Sequence, residues 1–305
     1  MPDDLLRIAT RKSPLALWQA NYVGELIKHH WPEMRIELVP MLTSGDKFLK
    51  DKLQAIGGKG LFVKELEEAL LDGRADLAVH SMKDVPAQLP NGLNITAICE
   101  RDNPLDAFVS PFNLTALPKG GIVGTTSLRR QSQLLALRPD IVIKPLRGNI
   151  NTRLDKLKKG EFDAIILAAA GLFRMGMANH IKEILGEEIM LPACGQGALG
   201  IECRNDDVKL QQILTPLNDS ISAICVNAER HVNGLLGGNC HVPLAVFCTL
   251  NANNQLFLRA KLLTVDGKMM ITDEQTGTLA DAMQLAEKCA LNMLANGARE
   301  LLELI

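Results

Sequence analysis

Apolar and polar positions divide much of the chain into short units that repeat. Leu5 to Thr10 has strand character and is followed by a polar Arg11-Lys12 turn. Ser13 is then placed to cap a helix and Pro14 to occupy its first position, ahead of Leu15, Trp18, Tyr22 and Leu26 at helical spacing. The same strand, polar turn and helix recur at Ile122 to Ser127, before a helix that ends near Arg138-Pro139. They recur again at Ile141 to Leu146, where Arg147-Gly148-Asn149 makes the turn and a helix runs towards Gly160. Leu77 to Met82 and Asp163 to Ala170 add two apolar strands, the first ending in Lys83-Asp84-Val85-Pro86. Such alternation predicts mostly parallel sheets.

Two sets of these units are separated by the polar Glu100-Arg101-Asp102-Asn103-Pro104, and a second crossing is expected near Gly195-Gln196-Gly197, before the strand-like Ala198 to Cys203. Two crossings between two α/β lobes predict a hinge and a cleft, as in two-lobed binding proteins that close around a ligand. From about Ser220 the pattern changes. A helix through Glu229 and Arg230 leads to Gly237-Gly238-Asn239-Cys240. Leu244 to Leu250, Gln255 to Thr264 and Lys268 to Thr272 then alternate, joined by turns at Asn251 to Asn254 and Asp266-Gly267. An amphipathic helix around Asp281 to Leu294 follows. The expected fold is α/β: lobe 1 from residues 1–99 and 198–217, lobe 2 from 103–196, and a small C-terminal α+β domain, 220–305, with a three-stranded antiparallel sheet.

At 305 residues the chain suits two or three domains, and 47% hydrophobic with 22% charged residues is a soluble, globular composition. The longest apolar stretch, Ala164 to Ala170, is far short of the ~20 residues a membrane span needs. The acidic start MPDDLLRIAT has no signal-peptide pattern, so a cytoplasmic protein is expected, without a membrane partner. Against 35 Asp+Glu, 33 Lys+Arg leave a formal charge of -2, which excludes the net basic field of a nucleic-acid binder. Seven cysteines, with no CxxC pair or Cys/His cluster, argue against both a disulfide framework and a metal site. Cys99, Cys203, Cys225, Cys248 and Cys289 lie in runs of strand or helix character, where a thiol is a small buried hydrophobe; Cys194 and Cys240 sit in Gly/Pro loops.

The positive charge is local. Arg7, Arg11, Arg129, Arg130, Arg147, Arg153 and Arg174 lie in or beside segments rich in Gly, Ser and Thr, most of them after a strand. A guanidinium pairs bidentately with carboxylate or phosphate, and ligands of open α/β sheets bind at the carboxyl ends of strands. A small ligand with many negative charges is implied. Asp84 is either one half of a local pair with Lys83 that ends its strand, or a carboxylate that handles a proton or a cation. Cys240 is either a plain loop cysteine or, exposed by its flanking glycines, a thiol nucleophile for a carbon electrophile. His29, His30, His180 and His231 read as surface or satisfied histidines, and none is paired with a Ser or Cys as hydrolysis would need.

Two glycine motifs are set aside. Gly195-Gln196-Gly197-Ala198-Leu199-Gly200 matches GxGxxG, but no strand precedes it and Ile201-Glu202-Cys203 does not open a helix, so dinucleotide binding lacks its context. Ile56 to Leu61 lacks GxxxxGK[ST]; with the polar, irregular Thr43 to Lys52 before it, a Gly-hinged lid carrying Lys59 fits better.

Taken together, RIATRKSPLALWQA (Arg7 to Ala20), GGKGLFVKELE (Gly57 to Glu67), AVHSMKDVP (Ala78 to Pro86), VGTTSLRRQ (Val123 to Gln131), LRGNINTRL (Leu146 to Leu154), DAIILAAAGLFRMG (Asp163 to Gly176), LPACGQGALGIECR (Leu191 to Arg204) and GGNCHVP (Gly237 to Pro243) closely resemble the porphobilinogen deaminase, or hydroxymethylbilane synthase, family. The resemblance covers nearly the whole chain, in order. It implies two periplasmic-binding-protein-like lobes plus a small domain that holds the cofactor, and a reaction that makes the linear tetrapyrrole precursor of haem. Four porphobilinogens are deaminated and joined head to tail on a covalent dipyrromethane primer, and water then releases the chain.

By motif position, the resemblance attaches the dipyrromethane through a thioether to Cys240. It assigns cofactor binding to Lys83, Ser81, Thr125, Thr126, Ser127, Arg129, Arg130, Arg147 and Gly148, with Lys59 on the lid. Arg11, Ser13, Arg147, Asn149, Arg153, Arg174 and Gln196 would contact substrate or the growing chain. Asp84 would be the catalytic carboxylate, stabilising the azafulvene cation left when ammonia departs. Each ring carries an acetate and a propionate, which accounts for the arginines. The family's Gly-Gly before the cysteine departs here, because Asn239 intervenes; asparagine accepts left-handed backbone angles better than most residues. A monomer without metal is expected. Two rival readings are a non-enzymatic two-lobed polyanion-binding protein, which needs neither Asp84 nor Cys240, and an acyl or phosphoryl transferase, for which no nucleophile and base pair is evident.

Overall fold

The chain opens with β1 (Leu5–Arg11) and turns into α1 (Pro14–His30). Its first free N–H groups are met as the sequence predicts: Ser13 Oγ accepts from the Ala16 N–H at 3.3 Å, and Pro14, which has none to satisfy, takes the first position. The computed structural model describes residues 5–47, 63–239 and 241–304. After α1 come β2 (Arg35–Met41), α2 (Ser44–Lys47), α3 (Lys64–Leu71), β3 (Leu77–Ser81) and β4 (Leu93–Ile98). A second series holds β5 (Asp106–Val109), β6 (Ile122–Gly124), α4 (Leu128–Leu137), β7 (Val142–Lys144), α5 (Ile150–Lys158), β8 (Ala164–Ala168), α6 (Ala169–Arg174) and β9 (Glu183–Leu185). The chain continues through β10 (Leu199–Arg204), α7 (Val208–Leu214), α8 (Ser220–Leu235), β11 (Leu244–Leu250), β12 (Leu256–Leu263), β13 (Met270–Gly277), α9 (Ala282–Ala295) and α10 (Ala298–Leu302). Contacts gather these into two compact units, residues 1–102 with 198–223 and residues 103–197 with 224–305.

The first unit holds a five-stranded sheet of order β2-β1-β3-β10-β4, and the second one of order β7-β6-β8-β5-β9. Both are mixed rather than mostly parallel, which corrects the expectation from strand and helix alternation. β1 pairs in parallel with β2 and β3, and β6 with β7 and β8, as local strand-helix-strand units require. The exceptions are β10, antiparallel to β3 and β4, and β5, antiparallel to β8 and β9. Each is the first strand laid down after the chain passes from one unit to the other, so no local helical crossover sets its direction.

In the first sheet, Leu6, Ile8, Leu77 and Val79 pack with Ala20, Val23 and Ile27 of α1, while Ala9 and Ala78 pack with Leu66 and Leu70 of α3. In the second, Phe108, Val123 and Ile166 join Leu134 of α4; Val109, Ile165 and Leu167 join Leu154 of α5 and Leu172 of α6. Each of the larger of these buried side chains, Val, Leu, Ile or Phe, is worth about 1.5–3 kcal/mol. The smaller sheet, β11-β12-β13, is antiparallel throughout. α8, α9 and α10 cover Val246, Leu258 and Leu262, whereas the opposite face sets Ala245 and Phe247 on Leu191 and Arg259 on Glu187 and Glu188.

Three local expectations are corrected. Asp163 to Ala170 does not continue as strand, since β8 ends at Ala168 and Ala169 begins α6. Ser44–Lys47 is helical rather than irregular, with Glu65 Oε1 accepting the Ser44 N–H at 2.7 Å. β13 starts at Met270, because Asp266 Oδ1 draws the Lys268 N–H and the Thr264 hydroxyl into the turn, and it runs on through the polar Asp273, Glu274 and Gln275. Among the described residues no helix is long and apolar enough to cross a membrane, and no His/Cys/Asp/Glu group could hold a metal ion.

Candidate active site

In the first unit, parallel pairing places Ile8 beside Leu77 and Ala9 beside Ala78. Arg11 ends β1 and Ser13 caps the helix after it, while Ser81 ends β3 and Lys83 and Asp84 follow, so all five lie at the carboxyl ends of two parallel neighbouring strands. Beyond Ser81 the Met82 N–H donates to the Ala198 carbonyl at 3.0 Å, and Met82–Asp84 forms a single 3-10 turn closed by Val85 N–H to Met82 O. Asp84 is exposed on that turn, with no hydrogen bond or ion pair to a described residue. The local pair with Lys83 is therefore not formed. Arg7 does not belong with the ligand arginines: it lies in the amino half of β1, and its Nε and Nη2 donate bidentately to Asp76 at 3.1 and 2.8 Å.

Behind this edge lies a group that the sequence did not reveal. His80 Nε2 is 2.8 Å from Glu202 Oε2, and the two residues are 5% and 0% exposed. Glu67 of α3 is buried beside them, and burial, helped by the charge on Glu202, pushes its carboxyl up to about 7. Glu202 lies 122 residues from His80, and the β3–β10 pairing and the seating of α3 bring the three together. A carboxyl raised from 4.5 to about 7 by folding binds more protons in the native than in the unfolded state between those values. Its favourable contribution is complete below pH 4.5 and is lost as pH rises through 7. Glu67→Gln, isosteric and uncharged, should unfold in urea much like the parent at pH 5 but be more stable at pH 8, by on the order of 2 kcal/mol. An equal difference at both pH values would contradict this account.

The second unit repeats the arrangement at the carboxyl ends of β6, β7 and β8. Ser127 caps α4, accepting from the Arg130 N–H, and Asn149 caps α5, accepting from the Thr152 N–H. Two helix N-termini with their partial positive charge thus follow neighbouring strands. Thr125 Oγ1 accepts from the Ser127 N–H, and Thr126 Oγ1 donates to Leu146 O, tying the two turns together. Gly148 has φ +119°, and a Cβ there would meet the Thr152 side chain at 2.8 Å, so only glycine fits beside Arg147. Arg153 Nε donates to Gly148 O, and Arg174, last in α6, donates to Gly197 O at 2.6 Å.

Arg129 and Arg130 are deeper than their sequence context suggests, at 4% and 7% exposed. Both guanidiniums hold Asp106: Arg129 Nη2 donates to Oδ2 at 2.7 Å, while Arg130 Nε and Nη2 donate to Oδ1 at 3.0 and 2.7 Å. Burial opposes the charge on Asp106, but the two arginines outweigh it and hold the carboxyl at about 2. Arg129 Nη1 also donates to Leu191 O, Arg130 Nη1 to Ile166 O, and Gln196 Nε2 to Asp106 Oδ1 and Pro104 O. Breaking such a buried network costs about 3–5 kcal/mol.

Cys240 and Lys59 lie outside the described residues. The residues flanking Cys240 are well tied. Asn233 Nδ2 donates to Gly238 O, Asn239 Oδ1 accepts from the His241 N–H at 2.8 Å, and Val242 N–H donates to Asn239 O. Among the described residues Asn254 is the one non-glycine with positive φ, so Asn239 is not left-handed. Its side chain acts as a local acceptor instead.

Comparison with known proteins bears directly on this arrangement. The model described as porphobilinogen deaminase, dipyromethane cofactor binding domain, matches residues 6–212, and that of the porphobilinogen deaminase C-terminal domain matches residues 223–295. Two relatives named porphobilinogen deaminase, from Legionella pneumophila strains Lens and Philadelphia 1, are 61% and 62% identical over 307 residues, covering 100% of this chain and 99% of theirs. Among solved structures, a probable amino-acid ABC transporter extracellular-binding protein from Bacillus subtilis is 13% identical, covering 70% of this chain and 90% of its own, with a TM-score of 0.44.

Proposed function

The chain belongs to the porphobilinogen deaminase family, and from that premise we propose that Asp84 is its catalytic carboxylate and Cys240 the attachment point of its cofactor. The reaction is that of a hydroxymethylbilane synthase: successive deamination and head-to-tail condensation of porphobilinogen, then hydrolytic release of the linear tetrapyrrole. The observation that carries the residue assignment is Asp84 itself, an exposed carboxylate on a short turn at the carboxyl edge of a sheet, uncommitted to any described residue.

The residues present fit a dipyrromethane. Its carboxylates call for oriented donors, and the second unit supplies two capped helix N-termini, the Thr125 to Ser127 turn, and Arg147 beside Gly148. A guanidinium has five N–H donors; the described contacts engage two of Arg129 and three of Arg130, so both retain donors for a carboxylate. When bound, the cofactor supplies the free pyrrole α-carbon at which growth begins. Ser81, Lys83 and Lys59 are assigned to it by motif position.

Asp84 places negative charge beside the pyrrole N–H of the incoming ring, stabilising the cation formed as ammonia leaves and accepting a proton as the new bond is made. Arg11, Ser13, Asn149, Arg153, Arg174 and Gln196 bind substrate and chain carboxylates. The reading extends to a monomer in the cytoplasm.

These assignments separate by stage. Arg11→Leu and Arg153→Leu should carry cofactor but stall with partial chains attached, whereas Arg129→Leu and Arg130→Leu should yield mainly apo-protein, with a less stable fold from the broken Asp106 network. A lost charged hydrogen bond of about 2 kcal/mol slows a step more than tenfold. Limiting porphobilinogen, followed by native gel separation of the complexes, reads this out. The same distribution of bound rings in all four variants would overturn the stage assignment.

A further inference from the structure

We propose that the buried His80–Glu202 pair is a positioning device for Asp84, acting through the end of β3. The inference rests on the reading of Asp84 as the catalytic carboxylate. In the β3–β10 ladder Glu202 is opposite Ala78 and Gly200 opposite His80, so His80 and Glu202 are diagonal neighbours on one face, and their side chains meet across the ladder. The next residue, Ser81, is held on the opposite face, where the buried Gln19 amide of α1 donates to its Oγ at 2.9 Å. The residue after that, Met82, lies over Gly200: a Cβ at position 200 would come within 2.1 Å of its sulfur. Three consecutive residues are thus fixed from alternating sides immediately before Lys83 and Asp84.

The composition of the anchor supports a geometric role. A buried hydrogen-bonded pair adds little net stability when one of its polar atoms goes unpaired, and here Glu202 Oε1 has no hydrogen-bond partner while Glu67 brings a second carboxyl close by. An apolar pair would fill the same space at lower cost. What it would not supply is one directional contact that fixes the strand end against β10, and a displacement of about 1 Å at a reacting group can cost ~100-fold in rate.

The test compares His80→Gln, which keeps a donor within reach of Glu202, with the double variant H80A/E202Q, which removes the contact without leaving a buried charge uncompensated. Both are first confirmed folded and cofactor-loaded by circular dichroism, thermal unfolding and intact mass. The expected result for the double variant is a kcat about 10- to 100-fold lower with KM for porphobilinogen changed less than about threefold, and His80→Gln should recover most of the loss. In an Asp84→Glu background, where the carboxylate is already displaced, the same double substitution should cost less than about threefold. A folded H80A/E202Q protein with the parental kcat, or a loss equally large in the Asp84→Glu background, would overturn the proposal. Near-normal turnover of Asp84→Ala would instead overturn the reading on which it rests.

Discussion

Cys240→Ser protein should be purified at the mass of the bare chain and should show only background turnover. A hydroxyl at this position is a far weaker nucleophile than a thiolate and forms no thioether with a carbon electrophile under the same conditions. The described bonds flanking position 240 run between Asn233, Gly238, Asn239, His241 and Val242, and the substitution changes none of those residues. Loss of activity then reports chemistry rather than misfolding. The variant should also unfold at a lower temperature than the loaded parent, because a group bound only by the native state stabilises it. Of the other loop cysteine, Cys194, the structure shows a partly buried side chain against the core of the smaller sheet, and Cys194→Ser should keep both adduct and turnover.

Asp84→Ala should fold like the parent and lose about 100- to 10,000-fold in turnover, the range for removing one acid-base or charge-stabilising group. The fold has little to lose there. Asp84 is exposed, and no described residue bonds to its carboxylate, so truncation breaks no ion pair and opens no cavity. Asp84→Glu, which keeps the charge and moves it, should fall between the two. Steady-state assays on cofactor-loaded protein, alongside thermal unfolding, separate the effects. Near-parental turnover in a folded Asp84→Ala protein would remove this carboxylate from the mechanism.

What the sequence made legible was local. Ser13 and Pro14 announced the start of α1, and the alternation after Leu244 announced the small antiparallel sheet, because capping and two-residue periodicity act between near neighbours. At Gly195 to Gly200 the dinucleotide fingerprint lacks its context, since Leu199–Arg204 is a strand where that motif needs a helix. What stayed hidden depended on partners far along the chain. The antiparallel entry of β5 and β10 follows from the passages between units, and the commitment of Arg129 and Arg130 depends on Asp106. Arg7 was grouped with ligand arginines because sequence context does not show that Asp76 lies beside it. The His80–Glu202 contact spans 122 residues. At Ala168 the change from strand to helix is hidden inside the unbroken apolar run Ala164 to Ala170, which has no period to tell one from the other.

The central claim is that this chain extends a primer fixed to Cys240, and intact-mass spectrometry of the purified protein before and after limiting porphobilinogen tests it most directly. The expected result is one resting adduct of two pyrrole units, a ladder of species one ring apart up to four rings above it, and a proteolytic peptide that places the adduct on Cys240. Active protein at the mass of the bare chain, or an adduct on Cys194, would contradict it.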